Sequence, residues 1–276
     1  MINKKYKDRL FCLLFGNEEY KDNILSLYNA LCNTSYTNTD DIQIYTIEDV
    51  IYIKMKNDVS VLLDSFLYLW EQQSTFNPNM PIRGLLYFGK MYDKYITENH
   101  LNIYGKAFIK LPTPKYTVLY NGMDEQPAFM QLRLSDSFIN PDTSGDFEWT
   151  ANMINLNDGK NDDLLDKCQP LKEYMILINE IRKNSENMKF EDAVDTAVTY
   201  CIEHNVLKTF LLKHRAEVLD VCITEYNEKS FVDGIREEGQ NLLATVVLRL
   251  RNGETPEQIL ASGVDAKTIE LAETIK

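Results

Sequence analysis

The sequence predicts an α/β fold in residues 1–158, followed by a mostly helical region to residue 276. Three observations carry this. Apolar residues recur at helical spacing in residues 20–32 (Ile24, Leu27, Tyr28, Leu31) and again in 83–96 (Leu86, Met91, Tyr92, Tyr95). Between and after these segments lie short β-branched and aromatic runs bounded by turn residues. From Asn161 onward the texture becomes helical, with apolar residues at i, i+3 and i+4 in 164–183, 191–204 and 207–226.

Taken in order, residues 8–15 read as a short apolar helix stopped by Gly16. Residues 33–41, rich in Thr, Asn and Asp, read as a loop, and 42–55 alternate well enough for one or two strands. A hairpin follows over 56–74. Asn77-Pro78-Asn79-Met80-Pro81 is a turn whose last proline suits the first turn of a helix. Residues 115–120 are strand-like and stop at Asn121-Gly122. Residues 123–146 read as irregular, and 148–156 as one more strand. The turn Asn157-Asp158-Gly159 marks a boundary, giving a core over 1–158, a helical region over 159–240 and a small helical unit over 241–276. Gly234 and Gly239 read as a flexible joint before that unit. Thr255-Pro256-Glu257-Gln258 is a capping box, Gly263 reads as the stop of its helix, and Asp265 as the cap of the next. This pair has a helix-turn-helix look. Its second helix offers Lys267 but also Glu270 and Glu273, which favours packing or dimerisation over reading a DNA groove.

Composition narrows the class. No apolar run approaches the length of a membrane span, and the start lacks a secretory leader, so a cytoplasmic protein without a membrane is expected. Five scattered cysteines without CxxC spacing read as structural thiols, and three distant histidines argue against zinc. The net charge of −13 is unfavourable for a DNA partner. Its distribution matters more: residues 1–122 are electrically balanced, and all the excess acid lies beyond them. Lys4, Lys5, Lys7, Arg9, Lys54 and Lys56 are candidates for a local basic surface.

The hairpin holds the chemistry. Val59 to Leu63 and Phe66 to Trp70 are two strand-forming runs, and Asp64-Ser65 is turn chemistry. With those two as a two-residue loop, Leu63 faces Phe66 and Asp58 comes opposite Glu71. Gln73 then shares Glu71's face. Opposed residues sit about 4.5–5.5 Å apart, and like charges so placed repel. A divalent cation between the two acids is the simplest reason for the arrangement. An ordinary exposed hairpin with surface acids has the same spacing, and spacing alone leaves both readings open.

Residues 55–96, with Lys56-Asn-Asp58, Trp70-Glu71-Gln72-Gln73-Ser74-Thr75, Asn77-Pro78-Asn79-Met80-Pro81, Arg83 and Tyr87, resemble the Rpn family. These are recombination-promoting, transposase-like nucleases of the PD-(D/E)XK superfamily. Lys7-Asp8-Arg9-Leu-Phe11, Phe15-Gly16, and the run from Leu111-Pro112 to Tyr120-Asn121-Gly122 extend the similarity, which covers roughly residues 5–240. The resemblance implies a restriction-endonuclease-like mixed sheet flanked by helices and Mg²⁺-dependent DNA cleavage, with Mn²⁺ as an alternative metal. It assigns Asp58 and Glu71 as metal ligands and Gln73 to the slot that many superfamily members fill with lysine. The family itself commonly carries glutamine there. Gln72 stands where many relatives have histidine.

Further residues are candidates with a plain reading beside each. Glu19 can supply a third metal-binding acid, or simply favour a helix N-terminus. Arg83 can grip a DNA phosphate, orient Glu71, or be a surface arginine; Lys56 is a second candidate phosphate contact. Tyr87, Tyr92 and Tyr95 read as core packing. Two functions compete: a metal-dependent DNA endonuclease linked to recombination, mobile elements or defence, and a non-catalytic protein on a nuclease scaffold that dimerises or binds nucleic acid or protein. A third, an inhibitor whose acidic C-terminal part mimics nucleic acid, rests on charge alone. Double-strand cleavage calls for two active sites, so a homodimer is expected of the first.

Overall fold

A computed structural model of the chain describes residues 6–45, 58–142, 144–252, 254–261, 264 and 266–275; at 58, 223–242, 257, 261, 266, 267 and 275 it describes the backbone alone. The chain divides into two compact units, Met1–Ile223 and Thr224–Lys276. The first is α/β. Its described strands are β1 (Gln43–Ile44), β2 (Asp58–Leu63), β3 (Phe66–Gln73), β4 (Thr113–Tyr120), β5 (Phe129–Arg133) and β6 (Thr150–Asn155). They form one mixed sheet in the order β1-β2-β3-β4-β6-β5. The centre is parallel, β3 with β4 and β4 with β6; β1–β2, β2–β3 and β5–β6 are antiparallel.

The β2–β3 hairpin turns on Asp64 and Ser65, both left-handed at φ 51° and 62°. Two successive positive φ values are the type I′ geometry whose twist matches a strand pair. The register therefore runs from Leu63↔Phe66 to Asp58↔Glu71, as the two-residue loop requires. Alternation then divides the residues between two layers. Leu67 and Leu69 face helix α3 (Met80–Glu98) and pack with its Met80, Tyr87, Phe88 and Met91. Val59, Val61, Tyr68 and Trp70 fill the other face and are buried. There α1 (Tyr6–Phe15) lies against β2 and β3, with α2 (Lys21–Cys32) beside it.

Pro81 stands in the first turn of α3, where its missing N–H has no helical partner to lose. The helix carries the chain back along the sheet so that β4 can pair parallel with β3. Tyr87 is buried, and Tyr92 and Tyr95 pack on the same core, as their spacing predicts.

Several elements differ from the sequence reading. Residues 123–146 are not wholly irregular: β5 lies within them. Only its Leu132 is buried and Phe129 is exposed, so this edge strand has no alternating signature. The helix expected over 164–183 is two, α4 (Asp162–Lys167) and α5 (Gln169–Asn184), broken at Cys168 two residues before Pro170. Both pack on α2, and α5 packs on α6 (Phe190–Glu203), within the same unit as the sheet. The backbone of Gly234 and Gly239 is helical, inside α7 (Lys208–Arg251). An interior glycine costs a helix only about 1 kcal/mol, which its neighbours can outweigh. Lys7 is buried in α1 and offers no basic surface. Lys4, Lys5, Lys54 and Lys56 lie outside the described residues.

In the second unit, the end of α7 packs with α8 (Pro256–Ala261) and α9 (Ala266–Ile275) around Val246, Leu250, Ile259, Ile269 and Ala272. The capping box is formed: Thr255 N–H donates to Gln258 Oε1 at 2.9 Å, and Gln258 N–H returns to Thr255 Oγ1 at 3.3 Å. Gly263 and Asp265 lie outside the described residues. Among the described residues, no helix is long and apolar enough to cross a membrane.

Candidate active site

The parallel strands β3 and β4 end together at Gln73 and Tyr120, and β2 begins at the same edge with Asp58. The carboxyl edge of a parallel sheet is where open α/β proteins place ligands, because the chain leaves each strand there toward its helix. Glu71 sits one turn of pleat inside this edge. Its register partner on β2 is Asp58, so the backbone brings these two acid positions together.

Glu71 is fully buried, yet three groups make its site polar. Gln73 Nε2 donates to Oε1 at 2.8 Å. The Tyr116 hydroxyl, from β4, donates to Oε2 at 2.5 Å. Arg83 Nη2, from the first turn of α3, forms an ion pair with Oε1. Burial pushes the Glu71 carboxyl up from its ordinary value, while the Arg83 charge and the hydrogen bonds from Tyr116, Gln73 and Arg83 pull it down. Taking a carboxylate out of water is expensive, and the three donors together with the guanidinium charge offset that cost.

Gly84 sets the distance between helix and sheet. A Cβ at that position would lie 2.5 Å from the Tyr116 ring and 2.8 Å from Trp149 Nε1. Hydrogen alone lets α3 approach closely enough for Arg83 to reach Glu71 beside the Tyr116 ring. Sequence reasoning did not single out Tyr116 or Gly84. Tyr116 shares an inward parity with Val118 and Tyr120, but only the β3–β4 register reveals that it reaches Glu71.

Gln72 points to the other face and is buried there. Its Nε2 donates to Asn121 Oδ1 at 2.7 Å, and the Asn121 carbonyl accepts from Arg182 of α5. Tyr174, also of α5, donates to the Lys7 carbonyl at 3.0 Å. Gln72 thus fastens the strand edge to the helical layer and takes no place beside Glu71. The Asn121-Gly122 stop after β4 is part of this fastening: Asn157 Nδ2 donates to the Gly122 carbonyl at 2.9 Å.

The structure does not bring Glu19 to this group. Glu19 lies on a 3-10 turn, Glu18–Tyr20, and pairs with Lys213 of α7. Lys56 lies outside the described residues. Among the described residues, no group of three or more His, Cys, Asp or Glu is gathered to hold a metal ion.

The donor set nevertheless suits a hard divalent cation in kind. It offers the Glu71 carboxylate, the register position of Asp58, and the Gln73 amide oxygen, which the bond to Glu71 leaves available. Mg²⁺ and Mn²⁺ favour such oxygen donors. A cation on Glu71 would meet Arg83 already there.

Compared with known proteins, no family model, no curated protein and no solved structure matches this chain.

Proposed function

We propose that this chain is a metal-dependent DNA endonuclease that hydrolyses phosphodiester bonds, with a core of the restriction-endonuclease-like kind and a resemblance to the Rpn nucleases. The observation that carries the reading is the pairing of Asp58 with Glu71 across the hairpin, with Gln73 bonded to Glu71, at the carboxyl edge of the parallel strands. Asp58 and Glu71 would hold Mg²⁺ or Mn²⁺. When bound, the ion lowers the pKa of a coordinated water and offsets charge on the phosphate under attack. Gln73 orients the attacking water through its amide, as a donor or acceptor without charge of its own. Arg83 lies a short reach from Glu71 and can take a phosphate oxygen with its planar fork. Tyr116 keeps the Glu71 carboxylate in one orientation from beneath.

The second reading is a non-catalytic protein on the same scaffold. What favours it is that both Glu71 oxygens already have partners, as in a structural ion pair. The two readings separate in one experiment: nicking of supercoiled plasmid with Mg²⁺ or Mn²⁺ by wild type, Asp58→Ala and Glu71→Ala prepared alike. Cleavage by wild type alone is expected. Equal cleavage by all three would place the activity elsewhere. No cleavage by any, together with no Mg²⁺ binding, would favour the non-catalytic scaffold.

A further inference from the structure

We propose that Arg83 occupies the cation's place on Glu71 until a nucleic-acid phosphate draws it away, so that metal and polyanion bind cooperatively. This rests on the metal-site reading above and adds an order to it. Glu71 has no exposed surface, so its carboxylate needs a positive charge, a proton or a metal beside it at all times. Arg83 supplies the charge, and it does so on Oε1, the oxygen that also accepts from Gln73. Tyr116 holds the other oxygen from the core side. Oε1 is therefore the oxygen a metal would take, and the guanidinium is on it.

The two cations exclude each other. A guanidinium and a divalent ion on one carboxylate oxygen repel each other strongly where water is excluded, more so for the double charge. Arg83 must turn off Glu71 when metal arrives. It can do so, because its side chain is 32% exposed whereas Glu71 is wholly buried. The partner it turns toward decides the cost. Water hydrates a guanidinium weakly, whereas a phosphate accepts two parallel hydrogen bonds from it. Duplex DNA at the edge of the sheet thus vacates Oε1 and lowers the cost of metal entry. By reciprocity, metal raises duplex affinity by the same factor.

The test is a titration of the full chain with Mn²⁺, read by the electron paramagnetic resonance of the free ion. It is run with and without a phosphorothioate duplex, which keeps its charge and resists cleavage; the duplex alone is the blank. Wild type should gain about tenfold in Mn²⁺ affinity with duplex, within the usual range of coupling between sites. Fluorescence anisotropy should show the same gain in duplex affinity with Mn²⁺. Arg83→Met should bind Mn²⁺ tightly without duplex and gain nothing from it. Arg83→Lys, which keeps a cation, should retain part of the coupling. If Arg83→Met does not fold, the wild-type pair of titrations decides alone. Mn²⁺ affinity in wild type that ignores the duplex would overturn the role of Arg83 and leave the metal site standing. No Mn²⁺ binding under either condition would overturn both. Binding and coupling that survive in Glu71→Gln would put the metal elsewhere and overturn the proposal as well.

Discussion

Tyr116 on β4 donates to Glu71 on β3 at 2.5 Å, from two residues behind Glu71's register partner Val118. A tyrosine ring is long enough to span that diagonal, and no shorter hydroxyl side chain would reach. Tyr116→Phe keeps the ring in the core and removes only the donor. A hydrogen bond to a buried charged group contributes about 1.5–3 kcal/mol, so chemical denaturation should show a loss of that size. On the proposed nuclease reading, plasmid nicking should fall as well, because Glu71 loses one of the contacts that orient it. An unchanged denaturation midpoint would mean that Tyr116 merely lies nearby.

Two glycines of α3 make a matched pair. Gly84 is pressed against Tyr116 and Trp149, whereas nothing lies within 4 Å of a Cβ at Gly89. Gly84→Ala must push helix from sheet or turn two packed rings, a strain of about 1–3 kcal/mol, and it should weaken the Arg83–Glu71 pair. Gly89→Ala adds helix propensity in open space and should stabilise by about 0.5–1 kcal/mol. Thermal melts of the two variants should therefore move in opposite directions. The same sign for both would show that contact with Tyr116 is not what sets the value at Gly84.

The turn of the hairpin is built from residues that tolerate left-handed geometry without preferring it. Ser65 carries a φ of 62°. Ser65→Gly removes the steric penalty of a Cβ there, and a type I′ turn favours glycine at its second position. A gain of about 1 kcal/mol in unfolding free energy is expected, with the Asp58↔Glu71 register unchanged. Destabilisation would mean that the Ser65 side chain has a role the backbone geometry does not reveal.

The hairpin was legible because turn chemistry and strand alternation are local. Asp64-Ser65 fixes the loop length, loop length fixes the register, and register sets Asp58 against Glu71. The same holds for Pro81 at the start of α3 and the Thr255–Gln258 capping box. What was hidden depends on contacts distant in sequence. Tyr116 becomes a partner of Glu71 only once β3 and β4 pair in parallel across a helical crossover. Strand β5 buries one side chain and shows no periodicity. Glu19 had the right chemistry, but its place beside Lys213 follows from how a helix some two hundred residues later packs. Arg83 was singled out for its position after the hairpin. That its guanidinium lies on Glu71 needed the approach that Gly84 permits.

Glu148, two residues before β6, gives a pH dependence with a clear sign. Glu148 accepts from Ser135 Oγ at 2.7 Å and from the backbone N–H groups of Leu134, Ser135 and Trp149 at 3.1, 3.2 and 2.9 Å. The Ser135 hydroxyl, with these N–H groups, holds its carboxyl below the ordinary 4.5. The native pKa lies under the unfolded one, so Glu148 adds stability above the unfolded value and loses it as pH falls through the native value. Glu148→Gln should be less stable than wild type near neutral pH, and the gap should narrow below about pH 4.5. Urea midpoints measured across that range check the sign; a gap that widens toward acid would contradict it.

Arg83 and Glu71 are partners of unequal burial, and that inequality makes their substitutions unequal. Removing Arg83 strands a fully buried carboxylate, whereas removing the Glu71 charge leaves a guanidinium that is 32% exposed and can turn to water. Breaking a buried pair costs about 3–5 kcal/mol when the remaining charge cannot rehydrate. Arg83→Met should approach that figure near neutral pH. Glu71→Gln should cost less, because glutamine can still accept from Tyr116 and exchange a hydrogen bond with Gln73. Acid should relieve Arg83→Met, since protonation neutralises the stranded Glu71, whose pKa burial has already raised. Denaturation curves of both variants at neutral and acid pH give the comparison. Equal losses, unchanged by acid, would show that the pair is too solvated to act as a buried one, and Arg83 would then have no hold on Glu71 for a phosphate to release.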